Sequence, residues 1–417
     1  MRINGAGVYA GLAFILLFAT DISAQLSTQW RGKDRSGHYP AEELFKEWPA
    51  EGPELILHLE NLPESYSSVV VQDGIMYTTG ILEDEEILTA INPDGSSSWS
   101  TVYGDAWTKS YRPARCTPTV EDGHAYVISG SGDLASIRLS DGKLIWSLDG
   151  YSVFEGSCGN WGVAESPLIV DDKMIYTPAG DKTTMVALDK TTGSVLWTTE
   201  SLHDISGYVS PLLIQRDALN LIVTLTASYV ICVNASDGEI MWKVDYMAID
   251  KPLMGGDINP VTPLARGRDI FVTSGYNHAG LMLQMDDDFR SVSVKWKSDD
   301  LDVHHGGVVA VGGYIYGSNY TTIRSGRWVC LDWESGRLMY DQAWNNKGQI
   351  ITSNGMLICY EERKGNMALV NANPNKFELI SEFRIEHGSG PHWSHPSIYG
   401  GKLYLRHGKS LLVYRIG

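Results

Sequence analysis

Along most of the chain, apolar and polar residues alternate in short runs broken by polar turns, the two-residue period of half-buried strands. The turns themselves repeat. AINPDGSSSW, IRLSDGKLIW, ALDKTTGSVLW and VNASDGEIMW each place a glycine four residues before a tryptophan. Trp99, Trp146, Trp197, Trp242 and Trp296 follow one another at intervals near fifty, and CLDWESGRLMY continues the series with Tyr340 in the tryptophan place. A weaker seventh copy ends near Phe383. Upstream of each lies a second shared element, a Gly- or Asp-containing turn followed by an aromatic strand: DGIMYTTG, DGHAYVISG, DDKMIYTPAG, GRDIFVTSG, GGYIYGSN, NGMLICYE and GGKLYLRH, with ALNLIVTLT as a turn-poor member. Each unit of roughly 45 residues therefore reads as four short antiparallel strands, which is the signature of a propeller blade.

The two ends of the chain complete one another. The last unit, SHPSIYGGKLYLRHGKSLLVYRIG, stops after its third strand, and ELILHLENL at residues 54–62 has no other partner. Pairing them would close a ring and remove the open edges. The expectation is an all-β, eight-bladed β-propeller over residues 54–417, or seven blades if the weak copy is an insertion. Residues 25–53 read as an extension belonging to no blade, so removing residues 25–45 is expected to be mild.

Composition narrows the function. Across 417 residues, 43% hydrophobic and 20% charged side chains describe a chain that can bury a large core, and the net charge of −17 opposes binding to phosphate backbones or anionic lipid. Nucleic acid is excluded as a partner. The opening segment has a basic start at Arg2, an apolar run from Val8 to Ala19 and a small residue at Ala24, which reads as a signal peptide over residues 1–24. No later stretch is long and apolar enough to span a bilayer. The expected product is periplasmic or secreted. The five cysteines, Cys116, Cys158, Cys232, Cys330 and Cys359, form no metal or haem spacing. Cys116 and Cys158 lie in connections around neighbouring blades and are the pair expected to form a disulfide, if any does.

ALDKTTGSVLW resembles the tryptophan-docking motif of the quinoprotein alcohol dehydrogenase-like, or PQQ-like, β-propellers, and the other copies are degenerate versions of it. The opening TQWRGKDRSGHYP and KEWPAEGPELILHLENLPESYSSV are similar to the start of bacterial PQQ-like repeat proteins. The resemblance spans essentially the whole mature chain and implies the fold. It implies two functions, because the repeat serves both pyrroloquinoline quinone enzymes that oxidise alcohols or sugars with Ca²⁺ and outer-membrane assembly lipoproteins that bind no quinone. This chain lacks the adjacent cysteine pair of the enzymes, and their Ca²⁺ ligands and aspartate base match no motif in it. No catalytic residue or metal ligand is carried over. An N-terminal lipid-anchor cysteine is missing as well.

A propeller builds its sites where each blade's last strand returns to the next blade's innermost strand. Those innermost strands open with Thr117-Pro118, Ser166-Pro167, Ser210-Pro211, Thr262-Pro263 and His395-Pro396, proline being tolerated at such an edge. The residues before them should ring one axial mouth: Tyr66, Lys109, Arg112, Arg115, Trp161, Glu165, Tyr208, Asp257, Asn259, His304, His305, His392, Trp393 and His395. Arginines there can hold a carboxylate or phosphate and aromatic faces can stack on a sugar or quinone ring. A small polar or carbohydrate-like ligand, or an envelope protein, is the expected partner, with the quinone dehydrogenase as the alternative. His304 and His305, adjacent on a segment read as extended, should point to opposite sides, leaving one for the channel and no metal site unless His395, His392, Glu165 or Asp257 assists.

Overall fold

The computed structural model describes residue 1 and residues 28–40, 44–216, 219–252, 255 and 257–417. The expected leader lies outside the described residues except for Met1. No described helix is long and apolar enough to cross a membrane.

The strands form eight four-stranded antiparallel sheets, seven of them an uninterrupted meander from the axis outward. Blade 1, for example, runs through Val70–Gln72, Ile75–Leu82, Glu85–Ile91 and Ser97–Asp105. The chain is an eight-bladed β-propeller, and the weak seventh repeat is a full blade whose outer strand is Glu378–Arg384. Blade 8 takes three strands from the C-terminus and its outermost, Leu55–Leu59, from the other end of the chain, paired as Leu57↔Val413, His58↔Leu412 and Leu59↔Leu411. Closure by the 54–62 segment is as the pattern required.

Alternation along each strand decides the packing. In blade 3, Leu168, Val170, Ile175 and Ala187 face blade 4, whereas Ile169, Met174, Tyr176 and Leu188 face blade 2. Eight buried clusters arise in this way, one at each interface between neighbouring blades. The repeated glycine and tryptophan meet across these interfaces rather than within one blade. Trp99, Trp146, Trp197 and Trp296 donate their indole N–H to Leu139, Lys190, Ala235 and Trp333 of the next blade, at 2.9 to 3.1 Å. Each indole lies on the next blade's turn glycine: a Cβ on Gly238, which holds φ +80°, would meet the Trp197 ring at 2.6 Å. Trp242 is the exception that explains the motif. The turn facing it, residues 286–291, carries Phe289 at positive φ in place of glycine, and Trp242 Nε1 has no partner.

The residue before each proline links blades around the axis. Thr117 Oγ1, Ser166 Oγ and Ser210 Oγ accept the backbone N–H of Ser68, Thr117 and Ser166 at 2.9 to 3.0 Å. All five cysteines are free, so the disulfide expected between Cys116 and Cys158 is not formed. Cys116 is instead buried among aliphatic and aromatic side chains, where its Sγ takes the Ile128 N–H at 3.4 Å and burial pushes the thiol pKa up.

The extension belongs to no blade strand, yet it is far from peripheral. Residues 28–39 cross the axial channel: Val120 N–H donates to Thr28 O, Thr352 N–H to Gly37 O and Tyr39 N–H to Thr352 O, each at 2.8 Å. These bonds use the channel-side edge of innermost strands. Arg31 and Arg35 are only 2% and 1% exposed. Arg35 donates to the carbonyls of Ser166, Pro167 and Pro211, and Arg31 to those of Val308 and Ile350. Tyr39 and Trp48 join the core between blades 7 and 8. A plug whose cations satisfy carbonyls from four blades is part of the core, which counts against the expectation that removing residues 25–45 is mild.

Candidate functional site: the axial cavity

Above the plug a cavity of about 270 Å³ opens at the axial mouth. Seven of the eight connections entering an innermost strand contribute to it. It gathers eight residues expected from the sequence: Tyr66, Arg115, Trp161, Tyr208, His304, His305, Trp393 and His395. Seven aromatic rings line it, Trp30, Tyr66, Tyr111, Trp161, Tyr208, Tyr276 and Trp393, and none of the described lining residues is a carboxylate.

Six expected residues are not in the lining, Asp257 among them. Lys109 is exposed and caps the Trp107 ring at 4.7 Å, beside a separate cleft. Arg112 pairs in solvent with Asp84 at 2.9 Å. Asn259 is buried and donates to the carbonyls of Thr226 and Ala227, which braces one blade's loop against the next. Glu165 is buried beneath the cavity and accepts from the N–H of Thr177 at 3.1 Å; burial pushes its carboxyl up to about 8 against the pull of that bond and of Arg35. His392 also turns away, stacking on His407 with centroids 3.8 Å apart, and burial lowers its imidazole to about 3.

Sequence reasoning missed Trp30, Tyr111, Tyr276 and Ile323. Trp30 was overlooked because the extension was placed outside the ring, although a Trp directly before the arginine-bearing turns of TQWRGKDRSG was a usable signal. Tyr276 and Ile323 come from loops joining second to third strands. In a four-stranded meander these loops reach the same end as the interblade connections, so both sets should have been read.

Arg115 is partly buried and donates through Nη2 to Ser110 O (2.8 Å) and Tyr111 O, leaving Nη1 without a partner. On the opposite wall His395 is fixed in one tautomer. Its Nδ1 accepts from Arg31 Nη1 at 3.1 Å, so Nε2 carries the proton it donates to His305 O at 2.8 Å. Trp30 packs against that imidazole edge-on, at 4.5 Å. Both His304 and His305 line the cavity, contrary to the expectation that only one would. Their segment is bent rather than extended, which brings the rings to 4.3 Å from each other. Burial lowers the pKa of His304, His305 and His395, so all three are neutral near pH 7.

The family model described as outer membrane protein assembly factor BamB matches residues 83–346, well over half of the chain. The chain belongs to this family of PQQ-like propellers. No curated protein matches the sequence. Among solved structures, BamB from Moraxella catarrhalis aligns with a TM-score of 0.63 at 13% identity, over 87% of this chain and 99% of that one. A quinohemoprotein alcohol dehydrogenase from Comamonas testosteroni aligns at 0.67 and 12%, over 94% and 81%. A europium-containing methanol dehydrogenase reaches 0.70 at 10%, over 92% and 90%. At these identities the likeness is one of fold.

The cavity does not fit pyrroloquinoline quinone held by Ca²⁺. Calcium takes six to eight oxygen ligands, largely carboxylates and amide oxygens. The lining supplies no carboxylate, and neither Asn259, whose amide N–H groups bind backbone carbonyls, nor the buried Glu165 is part of it.

Proposed function

We propose that this BamB-family propeller is an envelope protein whose axial cavity binds a small ring-bearing acid of the acidic-sugar type. The observation that carries the reading is the cage of seven aromatic rings around Arg115, whose Nη1 has no partner, in a cavity without lining carboxylates. Trp and Tyr faces suit the apolar C–H face of a sugar ring, and a guanidinium held by two carbonyls can still pair with a carboxylate. The absence of acidic side chains from the lining removes the repulsion such an anion would meet. Neutral histidines add polar contacts without a second fixed charge. An envelope location is supported by the family's description as an outer membrane assembly factor and by the leader-like opening segment.

The probes are glucuronate and galacturonate, with glucose as the neutral control, followed by quenching of intrinsic tryptophan fluorescence. Arg115→Ala and Trp161→Ala are each expected to weaken uronate binding by about 1–3 kcal/mol, through a lost charge-assisted bond or stacking face, with the melting temperature little changed. Uronate binding no stronger than glucose binding, or unaffected by either substitution, overturns the reading. The family description favours a second one, in which the same mouth docks an envelope protein. Under it, the two variants would lose a co-purifying partner while uronates bind neither wild type nor variant.

A further inference from the structure

One wall of the cavity carries ring nitrogens with no partner in the protein. His304 Nε2 lies 3.0 Å from the Tyr276 hydroxyl, and its Nδ1 has no partner. His305 Nε2 is likewise unpartnered, 3.5 Å from Glu362 Oε2. One ring nitrogen of each histidine and a Glu362 carboxylate oxygen lie within 4.8 Å of one another. Glu362 comes from the loop after the second strand of blade 7 and is held on several sides. Its backbone N–H donates to Lys347 O, its carbonyl accepts from His392 N–H, and its Oε1 takes the Lys347 ammonium at 2.7 Å. Lys347 directs its remaining donors to Thr322 O and Ile323 O, at 3.2 and 2.9 Å. The lysine therefore anchors one carboxylate oxygen, offsets its charge and leaves the other facing the imidazoles.

We propose that His304 Nδ1, His305 Nε2 and Glu362 Oε2 form a binding site for a divalent transition metal of the Zn²⁺ type, on the wall of the axial cavity. Two imidazole nitrogens and one carboxylate oxygen suit Zn²⁺, Co²⁺ or Ni²⁺ better than the all-oxygen cations. Zinc bonds of about 2.0–2.1 Å place tetrahedral donors about 3.3 Å apart, so the site closes with side-chain rotations rather than backbone movement. With Nδ1 on the metal, His304 Nε2 would carry the proton and donate it to the Tyr276 hydroxyl 3.0 Å away, a typical outer partner of a metal-bound histidine. Three protein donors leave a fourth position of a tetrahedral ion open. Because both histidines line the cavity, that position faces it, and the acid group of the ligand proposed above would complete the coordination. This last link rests on that reading, whereas the metal site does not.

The test uses the full chain, stripped of metal with a chelator, and Zn²⁺ alone in a calorimetric titration, with Co²⁺ absorption in the visible reporting coordination geometry. Wild type is expected to take one equivalent of Zn²⁺, and His304→Ala and His305→Ala each to lose affinity by about tenfold or more. Glu362→Gln strands the buried Lys347, so the histidine variants decide, with thermal melts confirming that they fold. Absence of Zn²⁺ binding, or its persistence in both histidine variants, overturns the site. Uronate titrations of the metal-free protein are run separately, so failure of one reading leaves the other intact.

Discussion

Glu165 shows how one side chain can be readable by type and unreadable by role. Its place before an innermost strand marked it for the mouth, but the structure buries it beneath the cavity near the plug's Arg35, where burial pushes its pKa up to about 8. A carboxyl whose folded pKa exceeds its unfolded value binds more protons when folded, so stability falls as pH rises from the unfolded pKa through about 8. The buried histidines, with lowered folded pKa values, act oppositely, but only below their unfolded pKa of about 6.5. Between pH 7 and the folded pKa the glutamate is unopposed by them. Glu165→Gln is therefore expected to flatten the decline of urea midpoints across that window. A midpoint profile as steep as wild type's would refute the assignment. The repeated tryptophans are a simpler case. Trp197 is 9% exposed, bonded to Ala235 O and seated on Gly238 of the next blade. Trp197→Ala is expected to cost about 3–5 kcal/mol in chemical denaturation, the range for truncating a buried large aromatic.

At the level of elements, the closing strand and the plug do different work. Leu55–Leu59 supplies the fourth strand of blade 8 and covers the edge of the C-terminal strand Ser410–Arg415. A chain beginning at Glu64 exposes that edge and is expected to aggregate or to lose cooperative unfolding, as seen by light scattering and melting curves. A chain beginning at Glu54 keeps the edge covered but loses Arg31 and Arg35. It is expected to remain soluble and to melt at lower temperature, because innermost-strand carbonyls lose their donors and each buried orphan costs about 1–3 kcal/mol. Equal melting temperatures for the Glu54 chain and the full chain would show that the plug carries no stability.

For the whole molecule, the architecture was legible in the linear pattern. A glycine four residues before a tryptophan, repeated at blade length, is a local pattern, since turn dihedrals and strand alternation are set by neighbours in the chain. Eight blades, their four-stranded meander and closure by residues 54–62 all followed from counting those patterns and matching the two incomplete ends. Most of the cavity was also legible, because topology sends every interblade connection to one mouth: Tyr66, Arg115, Trp161, Tyr208, His304, His305, Trp393 and His395 meet there. The remainder depends on contacts between distant segments, which exist only in the folded ring. That Arg31 and Arg35 would cross the channel follows from the ring of strand carbonyls waiting for donors, which no stretch of sequence displays. That both histidines would face the cavity beside Glu362 follows from a bend at His304 and His305 and a loop of blade 7, two features far apart in the chain. Periodicity fixes which face a residue takes within its own strand, whereas the pairing of loops across the axis is fixed only when the ring closes.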